Sequence, residues 1–206
     1  MNTTRAEIPV PGLLWGAYPE RRLTPRRLAE RCGAAQRDAT DRLADAAGAL
    51  LHRRDARWLA EVRAAQAALA ALDETAALET VRAAMLRDGL AAHAVVQALA
   101  LAALAAARHL GVQPFDTQLI AAREVLDNRL AEMATGEGKT LSVALAATVA
   151  ALAGMPVHVI TANDYLVARD ARRLQPLYAA LGLSVGWVVQ ADLPAARARA
   201  YACSIS

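Results

Sequence analysis

The stretch "AEMATGEGKTL", residues 131–141, decides which fold the sequence predicts. Two glycines, Gly136 and Gly138, stand directly before an alanine-rich run that is typical of a helix up to about Ala153. Lys139 is the only lysine among the 23 lysine and arginine residues of the chain. Glycines let the backbone fold round an anion, and the amides at a helix start point at phosphate oxygens. The sequence therefore predicts a phosphate-binding loop, in which a compact ammonium group fits better than the broad guanidinium of arginine.

The predicted loop "TGEGKT", Thr135 to Thr140, gives its polar side chains distinct roles. Lys139 can reach the β- and γ-phosphates of ATP, and the hydroxyl of Thr140 can bind Mg²⁺. Met133 stands where the general phosphate-loop pattern has its first glycine, so the stretch follows the "TGxGKT" form of helicase-type motors. The alternative is a glycine turn that opens a helix without binding phosphate.

Strand-like runs alternate with helix-like runs around and after the loop. The predicted strands are residues 129–134, 156–162 and 184–190, with another strand starting at 202–206. The predicted helices are Lys139 to Ala153, a helix through residues 164–174 and a short helix around residues 194–202. This alternation builds a parallel sheet with covering helices, so we predict an α/β fold for this part of the chain. Pro176 should kink or split the second helix.

The chain before the loop predicts helices alone. From about residue 24 to residue 109 the apolar residues recur with helical spacing. Asp73 or Thr75 begins one helix, which ends at Gly89. Residues 90–107 reach the minimum length of a membrane span, but they consist mostly of alanine, which is barely apolar. We therefore predict a buried helix here.

Composition limits the classes of partner and the compartment. A net charge of +3 and a pI of 9.2 are mildly basic, and the arginines alternate with acids, which favours a solvated surface over one that binds nucleic acid or anionic lipid. Cys32 and Cys203 are too far apart in the sequence to predict a disulfide framework or a zinc site, which fits a reduced, cytosolic setting. Residues 1–22 lack the apolar core of a secretory signal.

A second candidate binding segment, "QPFDTQLIAA", covers residues 113–122. The amide of Gln118 can both donate and accept, so it could read an adenine edge. Phe115, the only phenylalanine in the chain, could pack against the base. The alternative is that both are ordinary surface and core residues.

Four stretches in order, "QPFDTQLI", "LAEMATGEGKTL", "VHVITANDYLVARDA" and "PLYAALGLSVG", resemble the amino-terminal part of SecA, the ATP-driven motor family of bacterial preprotein export. The resemblance runs from about Leu90 to the end, and "NDYLVARD" distinguishes it from nucleic-acid helicases. The helical spacing before the loop and the resemblance after it together predict two domains: a helical N-terminal region, residues 1–112, and the first half of a RecA-like nucleotide-binding domain, residues 113–206. The positions that match the family's ATP contacts are Gln118, Gly136, Glu137, Gly138, Lys139 and Thr140. The family usually has arginine where this chain has Ala134.

The resemblance also implies a cellular setting. It implies a cytoplasmic protein that associates peripherally with the inner face of the plasma membrane, at the SecYEG channel. Its expected partners are unfolded preproteins, the channel and anionic lipids of the inner membrane, with no nucleic acid.

The carboxylates needed for hydrolysis are not apparent. Family members carry a paired-carboxylate motif, whereas the acids after residue 160 are Asp164, Asp170 and Asp192, which are widely separated. We therefore assign no catalytic residue, leave enzymatic activity open, and expect a truncated chain that binds nucleotide weakly. The alternatives are a non-catalytic interaction or regulatory module, a helicase fragment and a non-functional remnant.

Overall fold

The computed structural model describes residues 53–206, in which helices dominate. We number them in chain order: α1 (residues 53–70), α2 (Glu74–Asp88), α3 (Ala92–Leu110), α4 (Asp116–Leu126), α5 (Lys139–Leu152), α6 (Asp164–Ala180) and α7 (Pro194–Tyr201). The first residues of the predicted helical region, and Cys32, lie outside the described part.

Helix α2 shows how local sequence sets these boundaries. The Asp73 carboxylate accepts a hydrogen bond from the Ala76 amide at 2.9 Å, so it caps the first turn. Gly89 follows the last turn with a φ of 59°, a backbone conformation that glycine adopts readily. The prediction of a helix that starts near Asp73 and ends at Gly89 is confirmed.

Helix α3 lies in the core and contacts α2, α5 and α6. Its buried positions are mainly alanines, whose small side chains let the neighbouring helices approach closely. By length and composition α3 could cross a membrane, but 61% of the 18-residue window that passes this test is buried inside the protein. The prediction of a buried helix over residues 90–107 is confirmed, with observed bounds of Ala92–Leu110.

The predicted parallel sheet is not present in residues 53–206, so the assignment to an α/β fold with half a RecA-like sheet was wrong. The described residues contain only isolated parallel bridges, in which Ile205 pairs with Val157 and with Val185. The segment 129–134 is irregular, and Leu130 within it is 97% exposed. Strand-like composition is only a local preference, because a strand also needs a neighbour with which to form a hydrogen-bonded ladder.

Helix α6 runs through Pro176 as one helix, so the predicted split was also wrong. The residues on either side, Leu174, Leu177 and Tyr178, are buried in the core. Their packing holds this part of the chain helical, although proline supplies no backbone donor at its own position.

Candidate functional site

The predicted phosphate loop lies between α4 and α5, which pack against each other. Helix α5 begins at Lys139, as predicted, and Gly138 is its N-cap with a φ of 82° and a ψ of 40°. Gly136 also has a positive φ, of 93°. Side chains are strained in this left-handed conformation, so both positions favour glycine. A Cβ atom at residue 138 would in addition collide with the side-chain amide of Gln118.

Gln118 connects the loop to the start of α4. Its side chain is only 5% exposed, and its Oε1 accepts a hydrogen bond from the Phe115 amide at 3.0 Å. Its Nε2 donates to the carbonyl of Glu137 at 2.8 Å. The sequence predicts that Gln118 could read an adenine edge. In this structure both ends of its amide bind protein groups, so the side chain holds the loop in place.

The loop also closes on itself around Ala134. The Lys139 ammonium donates to the Ala134 carbonyl at 2.9 Å, and the Glu137 carboxylate accepts from the Ala134 amide at 2.7 Å. Glu137 is thus a residue that shapes the loop. Lys139 is exposed, so a phosphate group can compete with a single carbonyl for its ammonium.

Lys139 and Thr140 stand at one edge of a cavity of about 400 Å³ between α5 and α6. Asp170 also lines this cavity, where it forms an ion pair with Arg169 at 2.7 Å. The other two acids of this region have structural partners, since Asp164 accepts from the Gln190 amide and Asp192 from the Val189 amide. Residues 53–206 contain no group of three or more His, Cys, Asp or Glu side chains that could hold a metal ion.

Phe115 lies on the other side of Gln118, at the start of α4. Its ring is 71% exposed and lines a second cavity of about 530 Å³. Arg63 and Gln66, on α1, line the same cavity. Sequence reasoning missed these two residues, because they precede the loop by about seventy positions and no motif marks them.

At the start of α5 two positive-φ glycines precede a lysine and a threonine, which is the residue order of the predicted phosphate loop, but the described residues before the loop form no strand. Comparison with known proteins identifies the family. Residues 45–206 match the family model described as the SecA DEAD-like domain, and the chain belongs to this family. The resemblance found in the sequence is therefore confirmed.

Three relatives show the extent of the match. "Protein translocase subunit SecA 2" of Mycolicibacterium smegmatis is 44% identical over 162 residues, which are 77% of this chain and 21% of the relative. The SecA 2 protein of Thermobifida fusca is 54% identical over 107 residues, 52% of this chain and 14% of the relative. "Protein translocase subunit SecA" of Mycobacterium avium is 49% identical over 112 residues, 54% of this chain and 14% of the relative. The chain thus spans about a fifth of the length of the first of these relatives.

Proposed function

We propose that this chain binds ATP with Mg²⁺ through the loop Thr135–Thr140 and serves as the nucleotide-binding part of a SecA-type protein translocase. The observation that carries the proposal is the loop between α4 and α5, where Gly136 and Gly138 turn the backbone and Lys139 starts the helix. Membership of the SecA DEAD-like family supports it, because the relatives are named as translocase subunits.

Phosphate binding follows from the donors at the start of α5. The backbone amides of Gly136, Gly138, Lys139 and Thr140 and the positive end of the helix dipole would attract phosphate oxygens, while the Glu137 amide donates to the Ala134 carbonyl at 3.4 Å. The Lys139 ammonium leaves the Ala134 carbonyl for the β- and γ-phosphates, a stronger bond because both partners are charged.

Mg²⁺ fits the chemistry of the loop. It prefers hard oxygen ligands and usually takes one or two from protein, with the rest from phosphates and water. The Thr140 hydroxyl is the group that would hold it. When bound, the ion neutralises charge on the phosphates.

We assign binding, and no hydrolysis, to the described residues. Asp164 and Asp192 cap backbone amides, while Asp170 pairs with Arg169. Each of these acids is therefore engaged in a structural contact, and we assign no catalytic residue. The proposed cellular role, which rests on the family alone, is ATP-driven export of unfolded preproteins through the SecYEG channel. The chain would act in the cytoplasm and in peripheral contact with anionic lipids of the inner membrane.

A second candidate function, a non-catalytic module that regulates a translocase by contact, is favoured by exposed apolar side chains. Leu130 is 97% exposed and Ile160 is 94% exposed. Exposed apolar side chains mark a contact surface where they join into one patch. A chain that acts only in this way would not need a working loop, so nucleotide binding distinguishes the two functions.

Titration calorimetry with ATP and Mg²⁺ tests the proposal. We expect saturable binding by the wild-type chain and at least a tenfold weaker affinity, about 1.4 kcal/mol, for Lys139→Ala. Arg129→Ala is the matched control, since it removes a positive charge nearby that is paired with Glu124 and lies outside the loop. Equal affinities for the three proteins, or no binding by the folded wild type, would contradict the proposal.

A further inference from the structure

The second cavity lies between α1 and the start of α4. Its volume of about 530 Å³ is in the range of small-molecule binding sites. Its wall combines residues 113–117, which lead into α4, with Arg63 and Gln66 on α1. One wall therefore comes from a helix that no motif of the sequence connects with nucleotide.

Two arginine contacts fix α1 against α4. The Arg63 guanidinium binds both carboxylate oxygens of Asp116, at 2.6 and 2.8 Å. Near the other end of α4, Arg123 binds the Asp55 carboxylate at 2.6 Å and lies 4.5 Å from the centre of the Trp58 ring. Contacts at two points set the position of α1, and hence the width of the cavity.

The polar groups of the cavity suit a nucleobase edge. Gln66 follows Arg63 by three residues, so the two side chains lie on one face of α1. Its amide offers both a donor and an acceptor, as does that of Gln113. Among residues 53–206 neither amide has a hydrogen-bonding partner, whereas the amide of Gln118 has two. The exposed ring of Phe115 adds a flat apolar surface at the same cavity.

The cavity is also connected to the phosphate loop. The side-chain amide of Gln118 binds the backbone of Phe115 on the cavity side and the backbone of Glu137 on the loop side. A single amide group therefore separates the two regions. A nucleotide with its phosphates on the loop would have to extend past this amide to place its base in the cavity.

We infer that Gln66 is a specificity-determining residue, whose amide binds the edge of the nucleobase while the base packs on Phe115. Arg63 is a positioning residue, because it acts through Asp116 to hold α1 in place. This inference rests on the proposed function, since it assumes that the phosphates occupy the loop. It also adds α1 to the nucleotide site.

The test compares ATP with inorganic tripolyphosphate, which has no base, by calorimetry with Mg²⁺. We expect Gln66→Ala to weaken ATP binding about tenfold and to leave tripolyphosphate binding unchanged. Gln175→Ala, at an exposed site on α6, is the matched control and should change neither affinity. Arg63→Ala should behave like Gln66→Ala, and the exchanged pair Arg63→Asp with Asp116→Arg should restore ATP binding.

A second variant tests recognition of the base. Adenine presents both donors and acceptors, whereas the edge of guanine carries adjacent donors that a carboxylate accepts well. Gln66→Glu should therefore lower the ratio of ATP affinity to GTP affinity at least tenfold.

The outcomes separate the two proposals. If the wild type binds neither ATP nor tripolyphosphate, the proposed function fails. If the wild type binds both, and Gln66→Ala leaves ATP binding unchanged or weakens both ligands equally, the inference about Gln66 is overturned while the proposed function stands. An unchanged ratio of ATP to GTP affinity in Gln66→Glu would also overturn it.

Discussion

Replacing Gly138 with alanine should damage the candidate site through two separate effects. Gly138 has a φ of 82°, and forcing a residue with a Cβ atom into the left-handed region costs about 1–2 kcal/mol. The new Cβ atom would also displace the amide of Gln118, which makes two hydrogen bonds. Each of these contributes about 1 kcal/mol, so the total loss of stability should be about 3–4 kcal/mol.

Gly136→Ala is the matched control for this prediction. Gly136 also has a positive φ, of 93°, but a Cβ atom there would meet nothing within 4 Å. Its replacement should therefore cost only the backbone strain, about 1–2 kcal/mol. Urea denaturation measures both free energies of unfolding from the shift of the midpoint at constant slope.

A double variant isolates the contribution of Gln118. If the collision is real, Gly138→Ala should cost only about 1–2 kcal/mol when it is made in a Gln118→Ala chain, because no amide remains to be displaced. The reasoning would be refuted if Gly138→Ala were no more destabilising than Gly136→Ala, or if its cost were the same with and without Gln118.

Two further predictions concern the core. Burial, and secondly the charge of Asp170, raise the pKa of the Tyr178 phenol above its ordinary value. The folded chain therefore keeps this proton at a pH where the unfolded chain loses it, so the free energy of unfolding should fall as the pH rises above about 10. Denaturation measured over a range of pH should show a smaller decrease for Tyr178→Phe, which has no phenol proton to lose. Arg123→Ala should lower the free energy of unfolding by about 2–4 kcal/mol, because it removes the contacts with Asp55 and Trp58. In the same denaturation assay Arg129→Ala, whose ion pair is exposed, should lower the free energy of unfolding by less than about 1 kcal/mol. Equal losses of stability for the two variants would contradict this account of Arg123.

The parts of the structure that the sequence predicts are those set by neighbours in the chain. The start of α5 follows from glycines and helix formers within a few residues, and the bounds of α2 follow from its capping aspartate and terminal glycine. The parallel sheet could not be predicted in the same way. Pairing joins residues far apart in the sequence, and here it is limited to single bridges at Ile205.

The residues of the candidate site also fall into two groups: those that the sequence predicts and those that only the structure shows. The loop residues are contiguous, so one motif marks them together. Gln118 lies nineteen positions before Glu137; the sequence marks it as a candidate adenine reader, but only the structure shows its contact with the loop carbonyl. Arg63 is 53 positions from Asp116, and only the packing of α1 on α4 shows that the two residues meet.

The most direct test of the central claim is hydrogen–deuterium exchange of the loop amides, with and without ATP and Mg²⁺. At a nucleotide concentration near the dissociation constant of the wild type, phosphate binding should slow the exchange of the amides of Gly136, Gly138, Lys139 and Thr140 in the wild type. The slowing should be several times smaller in Lys139→Ala, whose affinity is expected to be at least tenfold weaker. Exchange that slows only outside the loop, or that slows equally in both proteins, would contradict the claim that this loop binds the phosphates of ATP.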